Sequence, residues 1–225
     1  MRPAIILGLS FLVLPAAQAQ TKPDLTAVLK KVSEIYKAVT QYEFISEGTC
    51  SGDQPRTGET FHMLFAFRAP NKYRVQSSAA CRKPGEPDPD DALRIDDGAN
   101  LWAYYAKANQ YISIPANLFG DKQAASIGQA TLSRYSGIAD VADQVKFVRE
   151  EALSFGASKA DCYVVLVPKR GNLAAETWWI DKASYHVVRI DNDESSIVFT
   201  TVKLNEPLPD NLFKFTPPPG AKPAQ

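Results

Sequence analysis

"TFHMLFAFRAPNKYRV", residues 60–75, decides how the rest of the chain reads. In it Phe61, Met63, Phe65 and Phe67 alternate with His62, Leu64, Ala66 and Arg68, and after "APN" the chain resumes as "KYRV". A period of two is that of a strand, and the short break predicts an antiparallel hairpin. One stripe is bulky and apolar, yet the other also contains Leu64 and Ala66. "TWWI", residues 177–180, repeats the pattern with apolar side chains on both faces. A sheet buried on one side needs one apolar stripe per strand. Apolar residues on both predict a sheet covered twice, or one that wraps around a cavity, and for any single aromatic ordinary core packing is the competing reading. The alternation does not say which stripe would face a cavity.

Outward from this hairpin the chain reads mostly as strand. "QYEFISEGTC" precedes it; "LRIDDGANLWAYY" and "NQYISIP" follow, with Asp97-Gly98 supplying the tight turn. Later come "VKFVREEAL", "DCYVVLVPK", "ETWWIDK", "YHVVRIDND" and "SIVFTTVKLN". Two segments break the pattern. From Pro23 to Val39, Leu25, Val28, Leu29, Val32, Ile35, Tyr36 and Val39 recur at the spacing of an amphipathic helix. Between Gly120 and Gln144 an alanine- and serine-rich stretch predicts one or two short helices, broken at Gly128 or Gly137. The acidic "RKPGEPDPDD" reads as a solvated loop. No composition break divides the chain, so one domain is expected over residues 20–225.

The first twenty residues have Arg2, an apolar run from Ala4 to Leu14, and small residues at Ala17 and Ala19. This is the pattern of a cleaved secretory signal peptide over residues 1–19, with a mature chain beginning at Gln20. Twenty-five lysines and arginines balance twenty-five aspartates and glutamates, which favours neither a nucleic-acid partner nor an anionic surface. In an oxidising compartment two of the three cysteines can pair. The ends of the first and third strands of an up-down-up meander lie at the same end of the sheet, so Cys50 and Cys81 are the expected pair and Cys162 is left over.

Little suggests catalysis. His62 and His186 are the only histidines and both read as strand residues; the acidic pairs at Asp96-Asp97 and Asp191 to Glu194 sit at turns, where aspartate is ordinary. The cysteines lack zinc-like spacing. No enzyme activity, metal or cofactor is expected.

At this point "LTAVLKKVSEIYKAV", "FAFRAPNKYRV", "LRIDDGANLWAYYAKANQ" and the closing "FKFTPPPG", in that order and approximate spacing, resemble periplasmic outer-membrane lipoprotein carriers of the LolA type. The resemblance covers essentially the whole mature chain. It implies a mainly β, α+β fold: an incomplete antiparallel β-barrel of about eleven strands with an N-terminal helix and a helical lid, here residues 121–138, over its concave hydrophobic side. It further implies a monomeric periplasmic carrier that binds the acyl chains of lipoproteins or related lipids. Such a carrier takes them from an inner-membrane lipoprotein-releasing transporter and passes them to an outer-membrane receptor. A lipid- or lipoprotein-sensing module of the same fold is the alternative.

On this reading Phe44, Phe61, Met63, Phe65, Tyr73, Trp102, Tyr104 and Trp179 are candidates for the lipid-facing wall. The family's lid is latched by an arginine just before the proline of this strand; the matching position is Arg68 in "FRAP", with Ala69 intervening before Pro70. Alternation puts Arg68 with Leu64 and Ala66, so it would reach a lid on the phenylalanine side only through a bulge or from the rim. A surface arginine is the other reading.

Overall fold

The structure, a computed structural model, describes residues 23–52, 57–78, 81, 92–118, 122–155, 158–171 and 173–224, with the backbone alone at 92 and 122–127. The expected signal peptide at 1–19 and the expected solvated loop at 82–91 lie outside the described residues.

Among the described residues twelve strands form one sheet. On one wing β1 (Gln41–Cys50), β2 (Thr60–Arg68), β3 (Lys72–Ser77), β4 (Ala92–Asp96), β5 (Asn100–Tyr105) and β6 (Gln110–Pro115) follow one another as an antiparallel meander. On the other run β7 (Lys146–Phe155), β8 (Ser158–Val167), β9 (Glu176–Asp181), β10 (Val187–Asp191) and β11 (Ser195–Leu204). β11 pairs with β1 and joins the wings, while a short β12 (Lys222–Pro223) lies parallel to β6. The outermost strands, β12 and β7, do not meet, so the sheet curls without closing.

The strand register assigns the faces. Tyr42, Phe44, Ser46 and Gly48 of β1 stand opposite Phe67, Phe65, Met63 and Phe61 of β2, so the bulky stripe lies on the same side as Tyr73, Val202 and Phe199. Both helices cover that side. α1 (Leu25–Lys37) is capped by the Asp24 carboxylate, which accepts from the Ala27 amide at 3.1 Å. It buries Val28, Leu29, Val32 and Tyr36 in a core shared with Val165, Val167, Trp178, Ile180 and Val187. Each such side chain removed from water contributes roughly 1.5 to 3 kcal/mol.

α2 (Lys122–Ser136) is one helix, ended at Gly137 and unbroken at Gly128. A glycine inside a helix costs about 1 kcal/mol relative to alanine. Packing explains its presence, since a Cβ at position 128 would lie 2.4 Å from the Phe67 ring. The absent side chain lets α2 settle directly on the sheet.

The other face is covered too, which accounts for apolar residues on both sides of the strands. The segment that ends the chain crosses it as a strap. Leu208 and Phe213 bury Ala66, and Phe215 stacks on Trp102 at 5.1 Å and meets Tyr104 and Tyr111. On the β7–β10 wing Leu153, Cys162, Val164, Trp179 and Val188 form a smaller cluster on this outer face. The guanidinium groups of Arg149 and Arg189 lie 5.9 and 4.4 Å from the Trp179 ring.

Candidate functional site

Between α2 and the inner face of β1, β2 and β11 is a cavity of about 290 Å³. Its floor is Phe44 and Phe65 in one strand layer, Ser46, Met63 and Phe199 in the next, and Ile197, which pairs with Gly48, one step further. α2 supplies the roof through Thr131, Arg134 and Tyr135. The floor is apolar except for Ser46, while the roof carries a hydroxyl and a guanidinium at its edge. Such a space can take an apolar chain and offer hydrogen bonds to a polar group at one end.

Aromatic packing and a polar network hold the roof down. Tyr135 stacks on Tyr36 of α1 at 4.5 Å and touches Phe44 and Trp178. Burial pushes its hydroxyl up to about 12, so the ring stays neutral within the core. The Tyr42 hydroxyl donates to the Gly128 carbonyl at 3.3 Å, and Ser33 of α1 donates to the carbonyl of Ser136. At the far end Arg134 forms two hydrogen bonds with Glu176 of β9: Nε to Oε2 at 3.1 Å, and Nη2 to Oε1. Glu176 is 3% exposed and also accepts from Trp178 Nε1 at 2.8 Å. Arg170, from the β8–β9 connection, donates to the Arg134 carbonyl at 3.0 Å and lies over the Trp178 ring. A buried carboxylate needs such partners, because its charge is costly away from water.

The residues anticipated from sequence divide by face. Phe44, Met63 and Phe65 line the cavity, Phe61 occupies the next layer of the same floor, and Tyr73 sits beside Phe67 on the same side. Trp102 and Tyr104 are corrections. Both point to the outer face, where the strap covers them; Trp102 Nε1 donates to Asp97 Oδ2 at 2.9 Å and the Tyr104 hydroxyl to Asn109 at 3.0 Å. Trp179 is likewise on the outer face, and its neighbour Trp178 takes the inner position.

Arg68 also requires correction. Its Nη1 donates to Asp210 Oδ1 at 2.5 Å, its Nη2 to the Leu208 carbonyl, and its guanidinium stacks on Phe213. All three partners belong to the strap, and α2 is on the opposite side of the sheet. The arginine that reaches the roof is Arg134. Cys50 and Cys81 are joined in a disulfide, and Cys162 is a buried free thiol that burial raises to about 12. His62 pairs with Glu47 at 2.7 Å at an exposed position; among the described residues no group of three histidine, cysteine or acidic side chains is placed to hold a metal ion.

Sequence reasoning passed over Arg134, Tyr135, Glu176, Ile197 and Phe199. Tyr135 belonged to a recognisable apolar stripe. Glu176 carried no local signal, because its role depends on an arginine more than forty positions away, consistent with the separation of 42 between Arg134 and Glu176.

No family model matches the chain. In sequence it is similar to an uncharacterized protein of Methanocaldococcus jannaschii, 26% identical over 201 residues that cover 87% of this chain and 52% of the relative. The chain thus spans about half the length of the curated relative it matches. Among solved structures, LprF from Mycobacterium bovis aligns with 89% of this chain and 98% of its own, at 16% identity and a TM-score of 0.52. The Mycobacterium tuberculosis lipoprotein LppX aligns over 84% of this chain and 99% of its own, at 17% identity and a TM-score of 0.47. A LolA superfamily protein from Nitrosomonas europaea covers 85% of this chain and 97% of its own, at 13% identity and a TM-score of 0.32. At these identities the likeness is one of fold: an open antiparallel sheet like that of LprF, with its helices on one side.

Proposed function

We propose that this chain binds the acyl chains of lipoproteins or related lipids between α2 and the concave face, and carries them through the periplasm. The observation that supports this most is the cavity itself, apolar on its floor and roofed by a helix whose only ion pair to the sheet is, among the described residues, Arg134–Glu176. At about 290 Å³ the cavity is at the small end of ligand sites, which span roughly 300 to 1,000 Å³. It suits part of one acyl chain. A larger cargo requires α2 to move away, so the described form is the closed state of a two-state carrier.

Burial of ten methylenes contributes about 8 kcal/mol, the scale of micromolar affinity before the cost of opening is subtracted. No described helix is long and apolar enough to cross a membrane. Export by the signal peptide at residues 1–19, a single domain over residues 20–225, and hand-over from an inner-membrane transporter to an outer-membrane receptor belong to this proposal. Native mass spectrometry of the mature protein incubated with diacylated and triacylated lipopeptides and with free fatty acids tests it. Retention of an acylated species is expected, and no adduct with any of the three would overturn the proposal.

A further inference from the structure

Beyond the cavity's Ser46–Met63 layer, the next pair along β1 and β2 is Gly48 opposite Phe61, with Ile197 of β11 on the other side of Gly48. Phe61 is 5% exposed, and its ring lies end-on across the glycine. A Cβ at position 48 would sit 2.0 Å from Phe61 Cζ and within 2.5 Å of both ring Cε atoms. No side chain larger than hydrogen fits under that ring. Behind it Cys50, also buried, is tied to Cys81, so the floor beyond Phe61 is already filled. Along the strands its layer, shared with the cavity-lining Ile197, follows the Ser46–Met63 layer of the cavity and precedes Cys50, which carries the disulfide.

We propose that Phe61, seated on Gly48, is the end wall that sets the length of acyl chain the cavity accepts. This rests on the acyl-binding reading and adds to it a specificity-determining residue. Consecutive layers of the floor are two strand residues apart, about 6.6 Å, which is room for several methylenes. Removing the ring would lengthen the cavity by about that layer. Placing a methyl group at position 48 would lift the ring, and because Cys50 and the disulfide occupy the far side, it would move toward Met63 and shorten the cavity. The three atoms nearest a side chain at 48 all belong to the Phe61 ring.

The test is displacement of a fluorescent fatty acid by straight-chain fatty acids of eight to eighteen carbons, in the wild type, Phe61→Ala, Phe61→Leu and Gly48→Ala. In the wild type affinity should rise about fourfold per added methylene until the chain meets the ring, and then level off. The plateau should move to longer chains in Phe61→Ala and, by less, in Phe61→Leu, which keeps an apolar side chain in place should the alanine variant not fold. It should move to shorter chains in Gly48→Ala. A wild type that binds but whose plateau length is unchanged in the variants overturns the wall alone. Equal weakening at every length does the same. A wild type that displaces no probe at any length overturns the acyl-binding reading and the wall with it.

Discussion

Replacing Arg134 with alanine removes both hydrogen bonds between α2 and Glu176 and leaves that carboxylate buried with, among the described residues, Trp178 Nε1 as its remaining donor. Breaking a fully buried pair from one side costs about 3 to 5 kcal/mol. The Arg134 side chain is 24% exposed, so water screens part of the interaction and about 2 to 3 kcal/mol is the expected loss from the closed state. That shifts the balance of closed and open forms by roughly 30- to 140-fold. If binding needs the open form, apparent affinity for an acyl probe rises by up to the same factor, until opening is no longer the unfavourable step. Probe titration together with hydrogen exchange across residues 122–136 reads both quantities. Glu176→Gln should act in the same direction by less, since an amide keeps one acceptor. Arg149→Ala, which removes an outer-face ion pair with Glu151, is the control and should change neither. Unchanged affinity and unchanged exchange in Arg134→Ala would refute the view that this ion pair keeps α2 down.

Gly128→Ala should raise lipid affinity although alanine is the better helix former by about 1 kcal/mol, because its methyl group meets the Phe67 ring and lifts α2; probe titration with circular dichroism separates the two effects. Arg68→Leu should raise hydrogen exchange at residues 208–215 and leave 122–136 unchanged, since its partners are Asp210, Leu208 and Phe213; exchange confined to the helix would reverse the assignment. A maleimide should label Cys162 only after unfolding, because the thiol is buried and stays protonated at neutral pH; mass shift with and without denaturant checks this. Burial holds the His186 imidazole below its ordinary 6.5, against the opposing pull of Asp181 and Glu206. The unfolded chain therefore takes the proton first as pH falls, so this contribution to stability is complete above about 6.5 and lost below it. Thermal midpoints from pH 7.5 to 5 should fall less steeply in His186→Gln than in the wild type.

How much of this was legible in the sequence depends on how local the deciding contact is. α1 was readable because its apolar spacing is internal to seventeen residues, and the meander because each turn lies between the strands it joins. The apolar excess on both faces was readable as well. What it meant at each strand was not. Trp178 and Trp179 alternate whichever face is inner; the assignment follows from pairing with β10, whose register shifts between Val187 and Arg189. Trp102 and Tyr104 look like the wall of a cavity until Phe215, more than a hundred positions away, covers them. Arg68 was placed by alternation on the face of Leu64 and Ala66, and that parity held: the strap lies on this face and α2 does not. The family resemblance pointed to an arginine that fastens the roof, and here Arg134 of the roof helix itself is the one that reaches the sheet. Gly128 reads as a helix breaker from composition alone, whereas the Phe67 ring beneath it is a tertiary reason for a glycine.

On the proposed function, acyl chains lie on the concave face beneath α2. Photo-crosslinking with a fatty acid that carries a diazirine along its chain, followed by peptide mapping, tests this most directly. Label is expected on the peptides that contain Phe44, Met63, Phe65, Ile197 and Phe199, with competition by unlabelled fatty acid. Label on the outer-face peptides that contain Trp102, Tyr104 or Trp179, with the concave peptides unlabelled, would contradict it.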